Sequence, residues 1–276
     1  MRTLRRGSTG PDVQAWLNFL RGRDFYPDET DSVFGPKAEA ATKAFQERYK
    51  LGADGVVGPQ TYARAMQLGF SLVEDDDGSK AGPNWPPQPD LEPLIGNEAR
   101  AAVFGKFRYR PAGTKGNPEA IRILDDWQAK NIVKVEIPQL VGLKGAGGAK
   151  SFWFHRLCAR QIQAFFEAVE KVGLAHLLLT WGGSYVPRFI RGSRSVLSNH
   201  SFGSAFDINV PWNYMGSVPA LVGKKGSVRE IVELAAKFGL FWGGYFRRKD
   251  GMHFEVARPM SNEEVEEVLR SVDSAA

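Results

Sequence analysis

The chain has 276 residues, 43% hydrophobic and 12% aromatic, so it can bury one large core or two smaller ones and is not a disordered polymer. Its net charge of +5 suits an anionic wall polymer or surface, while no stretch interleaves Lys and Arg with stacking aromatics, so nucleic acid is not the expected partner. The single cysteine, Cys158, excludes an internal disulfide framework, no run approaches the ~18 apolar residues of a membrane span, and no apolar stretch follows Arg5-Arg6 to make a secretory signal.

Residues 1–70 read as three short helices. The first runs from Asp12 to about Arg21, with Val13, Trp16, Leu17 and Leu20 at helical spacing. The second, Lys37 to Tyr49, buries Ala41, Ala44 and Phe45, and the third runs from Gln60 to about Leu68. The pattern D-x-V-x-G-P occurs twice, at Asp31–Pro36 and Asp54–Pro59, each time turning the chain and delivering a proline to a helix's first turn. The motifs L-x-x-G-x-x-G-x-D-V, F-G-P, A-F-Q and D-G-V-V-G-P-x-T-Y make this segment resemble the three-helix peptidoglycan-binding domain of wall hydrolases. It departs from that domain at Leu17, where Gln is frequent, and at Ala38, where Thr is usual.

Residues 71–95 hold six acids, one lysine and five prolines, a net charge of −5 that leaves +10 on the rest of the chain. Such a segment is expected to be an extended linker, pinned by Trp85 and Leu91. Residues 96–276 then read as a second, larger domain. Gly96 to Gly116 reads as basic loop, Pro118 to about Lys130 as helix, and Asn131 to Ile137 as a strand. Gly142 to Gly148 reads as loop, Ser151 to Val172 as the longest helix, and Leu174 to Thr180 as a core strand burying His176. Val228 to Phe238 reads as a helix closed by Gly239. His155 and Cys158, three apart, invite a thiol-protease reading that an amphipathic helix does not support.

The chemistry concentrates in Ser198–Asn209. A turn carries His200, and alternation along Ala205–Val210 sends Phe206, Ile208 and Val210 to the core and Asp207 to the other face. A second short strand carries His253 and Glu255 on one face, with Asp250 three residues before His253. Two imidazoles and one carboxylate suit a single zinc ion with an open fourth position, and Asp250 is placed to take a proton from water there. Glu255 reads as a group behind the metal site that orients an imidazole by a hydrogen bond, or else as a surface ion pair.

The pattern S-x-H-x-x-G-x-A-x-D followed by D-x-x-H-F-E resembles the zinc D-alanyl-D-alanine carboxypeptidases and L-alanyl-D-glutamate endopeptidases of peptidoglycan, many phage endolysins among them. The resemblance implies that His200, Asp207 and His253 bind one Zn2+ and that Asp250 is the base. It also implies an arginine that polarises the scissile carbonyl, with Arg188 the first candidate and Arg191 the second. Ser198 opens the motif, and Trp212 and Tyr214 in the loop from Pro211 to Gly226 are the expected walls of the substrate groove.

The expected fold is an α+β peptidase domain, a small antiparallel sheet bearing the zinc site with helices packed on it, beside a small all-α domain. The expected function is hydrolysis of a stem-peptide amide, foremost L-Ala-D-Glu, by a monomer that binds peptidoglycan and reaches the wall through a phage-made membrane hole. Two alternatives stand: a D-Ala-D-Ala carboxypeptidase of wall remodelling, and a wall-binding protein whose zinc is structural.

Overall fold

The computed structural model describes residues 2–21, 23–28, 31–68, 70 and 84–273. The chain divides into two compact units: Met1–Pro86 with Asn209–Arg229 and Gly244–Met252, and Pro87–Ile208 with Glu230–Gly243 and His253–Ala276. The acidic run of the expected linker, within residues 71–83, lies outside the described residues. Among the described residues no helix is long and apolar enough to cross a membrane.

The first unit is built on helices α1 (Pro11–Arg21), α2 (Pro36–Arg48) and α3 (Pro59–Gln67). The repeated D-x-V-x-G-P makes the same turn twice: Asp31 Oδ1 accepts from Val33 N at 3.0 Å, and Asp54 Oδ1 from Val56 N at 2.9 Å. Each turn hands its proline to a helix N-terminus, where a missing N–H costs nothing. Trp16, Phe45, Tyr62 and Phe70 form the buried aromatic centre. Gln46 of the A-F-Q motif is 1% exposed yet fully used. Its amide donates to Asp54, Val56 and Thr61 and accepts from Gly55 N, locking the second turn onto α2. Leu17 and Ala38, the two departures from the peptidoglycan-binding pattern, are core residues.

Segments from later in the chain complete this unit. Trp212 Nε1 donates to the Leu68 carbonyl at 3.2 Å, and Asn18 Nδ2 donates to Ser217 Oγ at 2.7 Å. Trp85 lies beneath the Arg229 guanidinium, 4.3 Å from the ring centroid, with Lys249 Nζ at 5.3 Å.

The second unit is α+β. Helix α4 (Gly96–Phe104) precedes hairpin strands β1 (Tyr109–Pro111) and β2 (Ile121–Ile123). The short helix α5 (Trp127–Asn131) leads to the antiparallel pair β3 (Ile132–Glu136) and β4 (Ser151–His155). Helix α6 (Ala159–Lys171) and strand β5 (Trp181–Gly183) follow, then β6 (Ala205–Ile208), α7 (Val232–Lys237), β7 (Leu240–Trp242), β8 (His253–Val256) and α8 (Asn262–Asp273). The four-stranded sheet has the order β5-β6-β8-β7, antiparallel throughout. Phe165 and Phe166 of α6 pack on Phe206 and Phe254 of the sheet, all fully buried.

Residues 96–104 are helix rather than loop, because Arg100 and Phe104 face inward and give the segment a buried side. Within 118–130, residues 121–123 are a strand and the helix starts only at Trp127. Residues 151–155 are a strand, with Phe152 and Phe154 buried and Trp153 exposed, and the helix begins at Ala159. Residues 175–177 form a 3-10 turn, and His176 is exposed with Nδ1 against Gly173 O at 2.8 Å. The β6 strand ends at Ile208 because Asn209 turns left-handed, with φ 54°, so Val210 is only half-buried. The helix expected over 228–238 is α7 after a 3-10 turn at Arg229–Ile231.

Gly203 is the one glycine on which the site loop depends. It has φ 67°, and a Cβ there would stand 2.8 Å from both His155 N and Ile132 Cδ1. Gly203→Ala therefore meets a left-handed backbone and a clash with main chain, and is expected to cost about 1–3 kcal/mol, roughly 2–10 °C in Tm. Calorimetry of the variant checks this; an unchanged Tm would show that the loop relaxes freely.

Candidate metal centre

Register brings the first two candidate ligands together. In the β6–β8 pair Asp207 is directly opposite His253, and Ala205 is opposite Glu255. Because side chains alternate along a strand, Phe206 and Phe254 stack in the core while Asp207 and His253 share the other face. His200 comes from a 3-10 turn, Asn199–Phe202, whose N-cap Ser198 accepts through Oγ from His200 N at 3.3 Å. The turn is tied to the end of β5: His200 Nδ1 donates to Ser184 O at 2.6 Å, and Val186 N donates to His200 O at 3.1 Å.

That contact to a carbonyl places the His200 proton on Nδ1 and leaves Nε2 as a lone pair. Nε2 is buried, makes no hydrogen bond, and lies 3.3 Å from Asp207 Oδ1. His253 Nδ1 is 3.0 Å from the same oxygen, and one ligand atom from each of the three residues lies within 4.8 Å of the others. Two electron-rich atoms facing each other without a proton between them call for a cation. Tetrahedral ligands at about 2.0–2.1 Å from zinc stand roughly 3.3 Å apart, so the residues fit zinc in number, type and spacing.

Both nitrogens of His253 face carboxylates, Nδ1 toward Asp207 and Nε2 toward Glu255 Oε2 at 3.0 Å. Burial by itself lowers the His253 pKa, but the hydrogen bonds and charges of Asp207 and Glu255 outweigh it and raise it to about 10. Burial likewise works to raise the Asp207 pKa, and the imidazoles of His200 and His253 beside it hold it well below the usual carboxylate range. Metal-free protein at neutral pH thus carries an imidazolium at His253, whose Nδ1 proton must leave when a metal binds. Zinc uptake is expected to release about one proton, and apparent affinity to rise with pH up to about 10. Calorimetric titrations in buffers of different ionisation enthalpy check this, and zero proton release would contradict it.

Arg188 bonds the site loop through its backbone, donating from N to Ser201 Oγ at 2.8 Å and accepting from Ser198 N at 3.0 Å, and its Nη1 donates to Phe189 O at 3.1 Å. Arg191 pairs instead with buried Glu119 at 2.9 Å. Asp250, 8% exposed, ends the segment just before β8 and belongs to the other compact unit, as do Trp212 and Tyr214. Burial pushes the Tyr214 phenol up to about 12. The Cys158 thiol is fully buried and raised to about 12, while burial lowers His155 to about 4, so this pair is no nucleophile and base.

Three residues at the site went unread in the sequence: Ser184, Asn199 and Arg100. Asn199 Nδ2 donates to Glu255 Oε2, and its Oδ1 accepts from Arg100 Nε at 2.7 Å. Asn199 looked like a spacer inside S-x-H, and Arg100 sat in a stretch read as loop. The only signal was the position of Asn199 next to the candidate ligand His200.

Residues 191–256 match the family described as D-alanyl-D-alanine carboxypeptidase, and residues 9–65 match the peptidoglycan binding domain family. His200, Asp207, Asp250, His253 and Glu255 all fall within the first match. The zinc D-Ala-D-Ala carboxypeptidase of Streptomyces albus G is 38% identical over 80 residues, 27% of this chain and 28% of that protein. A spore cortex-lytic enzyme of Bacillus cereus is 29% identical over 97 residues, 32% of this chain and 38% of that protein. The chain thus spans 28% and 38% of the lengths of these relatives. The crystal structure of the SleB N-terminal domain is 31% identical, covering 24% of this chain and 92% of that one, with a TM-score of 0.24.

Proposed function

We propose that this chain, with one segment matching D-alanyl-D-alanine carboxypeptidases and another matching peptidoglycan-binding domains, is a zinc-dependent peptidase of peptidoglycan stem peptides that works at the cell wall. The observation that carries the reading is the convergence of His200 Nε2, Asp207 Oδ1 and His253 Nδ1, with the His200 nitrogen buried and unbonded. We assign residues 1–70 to wall binding, 71–95 to the linker and 96–276 to the peptidase.

His200, Asp207 and His253 would hold the ion, three protein ligands being the pattern of a catalytic rather than a structural zinc site. Zinc there supplies Lewis-acid chemistry, polarising a carbonyl and acidifying water. Asp250 takes the proton of the attacking water and passes it to the leaving amine. Arg188, whose backbone is stitched to the His200 loop, is favoured over Arg191 as the partner of the developing oxyanion, since Arg191 already serves Glu119. Glu255 holds the far nitrogen of His253.

The bond we favour is L-Ala-D-Glu, because a polymer-binding module raises the local concentration of an enzyme on an insoluble substrate and gives most to one that cuts within it. A second reading, D-Ala-D-Ala carboxypeptidase, is favoured by the description of the matching family and by the Streptomyces albus G relative. Mass spectrometry of purified peptidoglycan, digested by zinc-loaded and by chelated protein, separates them. New N-terminal D-Glu with L-Ala left on the glycan is expected; loss of the terminal D-Ala alone would establish the second reading, and no zinc-dependent product would overturn both.

A further inference from the structure

Behind the three candidate ligands runs a buried string of polar side chains drawn from three separate elements. Arg100 on α4, 6% exposed, donates through Nε to Asn199 Oδ1 at 2.7 Å and through Nη1 to Leu197 O at 2.9 Å. Asn199, 4% exposed, donates through Nδ2 to Glu255 Oε2, the oxygen that also faces His253 Nε2 at 3.0 Å. Glu255, 2% exposed, is on β8 two residues beyond His253. Chemistry fixes the direction of every bond here. A guanidinium only donates and a carboxylate only accepts, so the Asn199 amide has one permitted orientation, and His253 Nε2 facing that carboxylate must carry a proton.

We propose that Arg100 and Asn199 are positioning residues for the metal centre, acting through Glu255 to hold His253 with Nδ1 directed at Asp207. The proposal rests on the zinc reading above. A histidine that ligates through one nitrogen needs its other N–H engaged, which fixes both tautomer and ring plane. Glu255 does this, but a carboxylate on a short strand can rotate about its own side chain. Asn199 takes that freedom away, and it sits in the sequence beside His200, so the same turn that presents one ligand steadies the partner of another. Arg100 then fixes the Asn199 amide and balances the buried Glu255 charge. As a purely stabilising device the string has little to recommend it, because buried charged groups are often matched or bettered by apolar ones of equal volume.

The test is zinc affinity, measured by chelator competition on wild type, Asn199→Ala, Arg100→Met and the double variant, with thermal unfolding of each metal-free form. Asn199→Ala is expected to weaken zinc binding about 10- to 100-fold, and Arg100→Met, which keeps volume on the helix, about 3- to 10-fold. The double variant should lose clearly less than the product of the two single losses, because Arg100 acts in large part through Asn199. The visible spectrum of the cobalt-substituted protein should shift in both single variants, which a residue that only stabilised the fold would not cause. If Asn199→Ala does not fold, the Arg100→Met affinity and spectrum decide. Wild-type affinity and spectrum in a folded variant overturn the proposal alone; no zinc on wild-type protein overturns the metal centre together with it.

Discussion

Alanine at position 200 is expected to strip zinc from the protein and abolish hydrolysis of peptidoglycan. His200 supplies the buried, unbonded Nε2 of the cluster, 3.3 Å from Asp207 Oδ1. Structural zinc sites bind with an apparent 10–16 kcal/mol, so one of three protein ligands carries about 3–5 kcal/mol, roughly 10²- to 10⁴-fold in affinity. The variant also leaves the Ser184 carbonyl without the imidazole that bonds it at 2.6 Å, so a modest loss of stability accompanies the loss of metal. Zinc content after dialysis, with thermal unfolding as control, reads the two effects apart. A folded His200→Ala protein that retained stoichiometric zinc would remove His200 from the ligand set.

The second large effect concerns Asp250. Asp250→Ala should keep its zinc and lose activity by roughly 10²- to 10⁴-fold, the usual contribution of a positioned general base. Asp250 is 8% exposed and is carried on a turn that is well held within its own unit. Met252 N donates to Asn213 O at 3.1 Å, and a Cβ on Gly251 would stand 2.6 Å from Pro219 Cβ. The loop over 213–219 thus packs against Gly251 and Met252, directly after Asp250, and it joins the helical module through Asn18 and Ser217. A purely structural zinc site needs no such base, so this variant separates an enzyme from a wall-binding protein. Zinc-replete Asp250→Ala that opened walls at the wild-type rate would end the base assignment.

The clustering of His200, Asp207 and His253 was legible in the sequence because much of what brings them together is local pattern. Period-two alternation put Asp207 and His253 on the polar faces of two short strands, and the glycine at 203 announced the turn that presents His200. The helical module was legible for a similar reason, since the two D-x-V-x-G-P turns act on their own neighbours. What failed were segments whose state is decided by distant partners. Ser151–His155 continues the apolar run of α6 and so reads as helix, yet it pairs with β3 and alternates buried Phe152 and Phe154 with exposed Trp153. Gly96–Phe104 opens the basic stretch to Gly116 that reads as loop, yet its Arg100 is drawn inward by Asn199, 99 residues further on. His176 was expected in a buried strand and stands exposed on a 3-10 turn. The string from Arg100 through Asn199 to Glu255 could not be read in the sequence because nothing in their own neighbourhoods points at Glu255.

X-ray absorption at the zinc K-edge of the purified wild-type protein tests the metal centre most directly. The account predicts one ion per chain, bound by two imidazole nitrogens and by oxygen, with no sulfur, since Cys158 is buried away from solvent and its thiol stays protonated. A sulfur ligand, a single imidazole, or protein that holds no zinc after loading would contradict it.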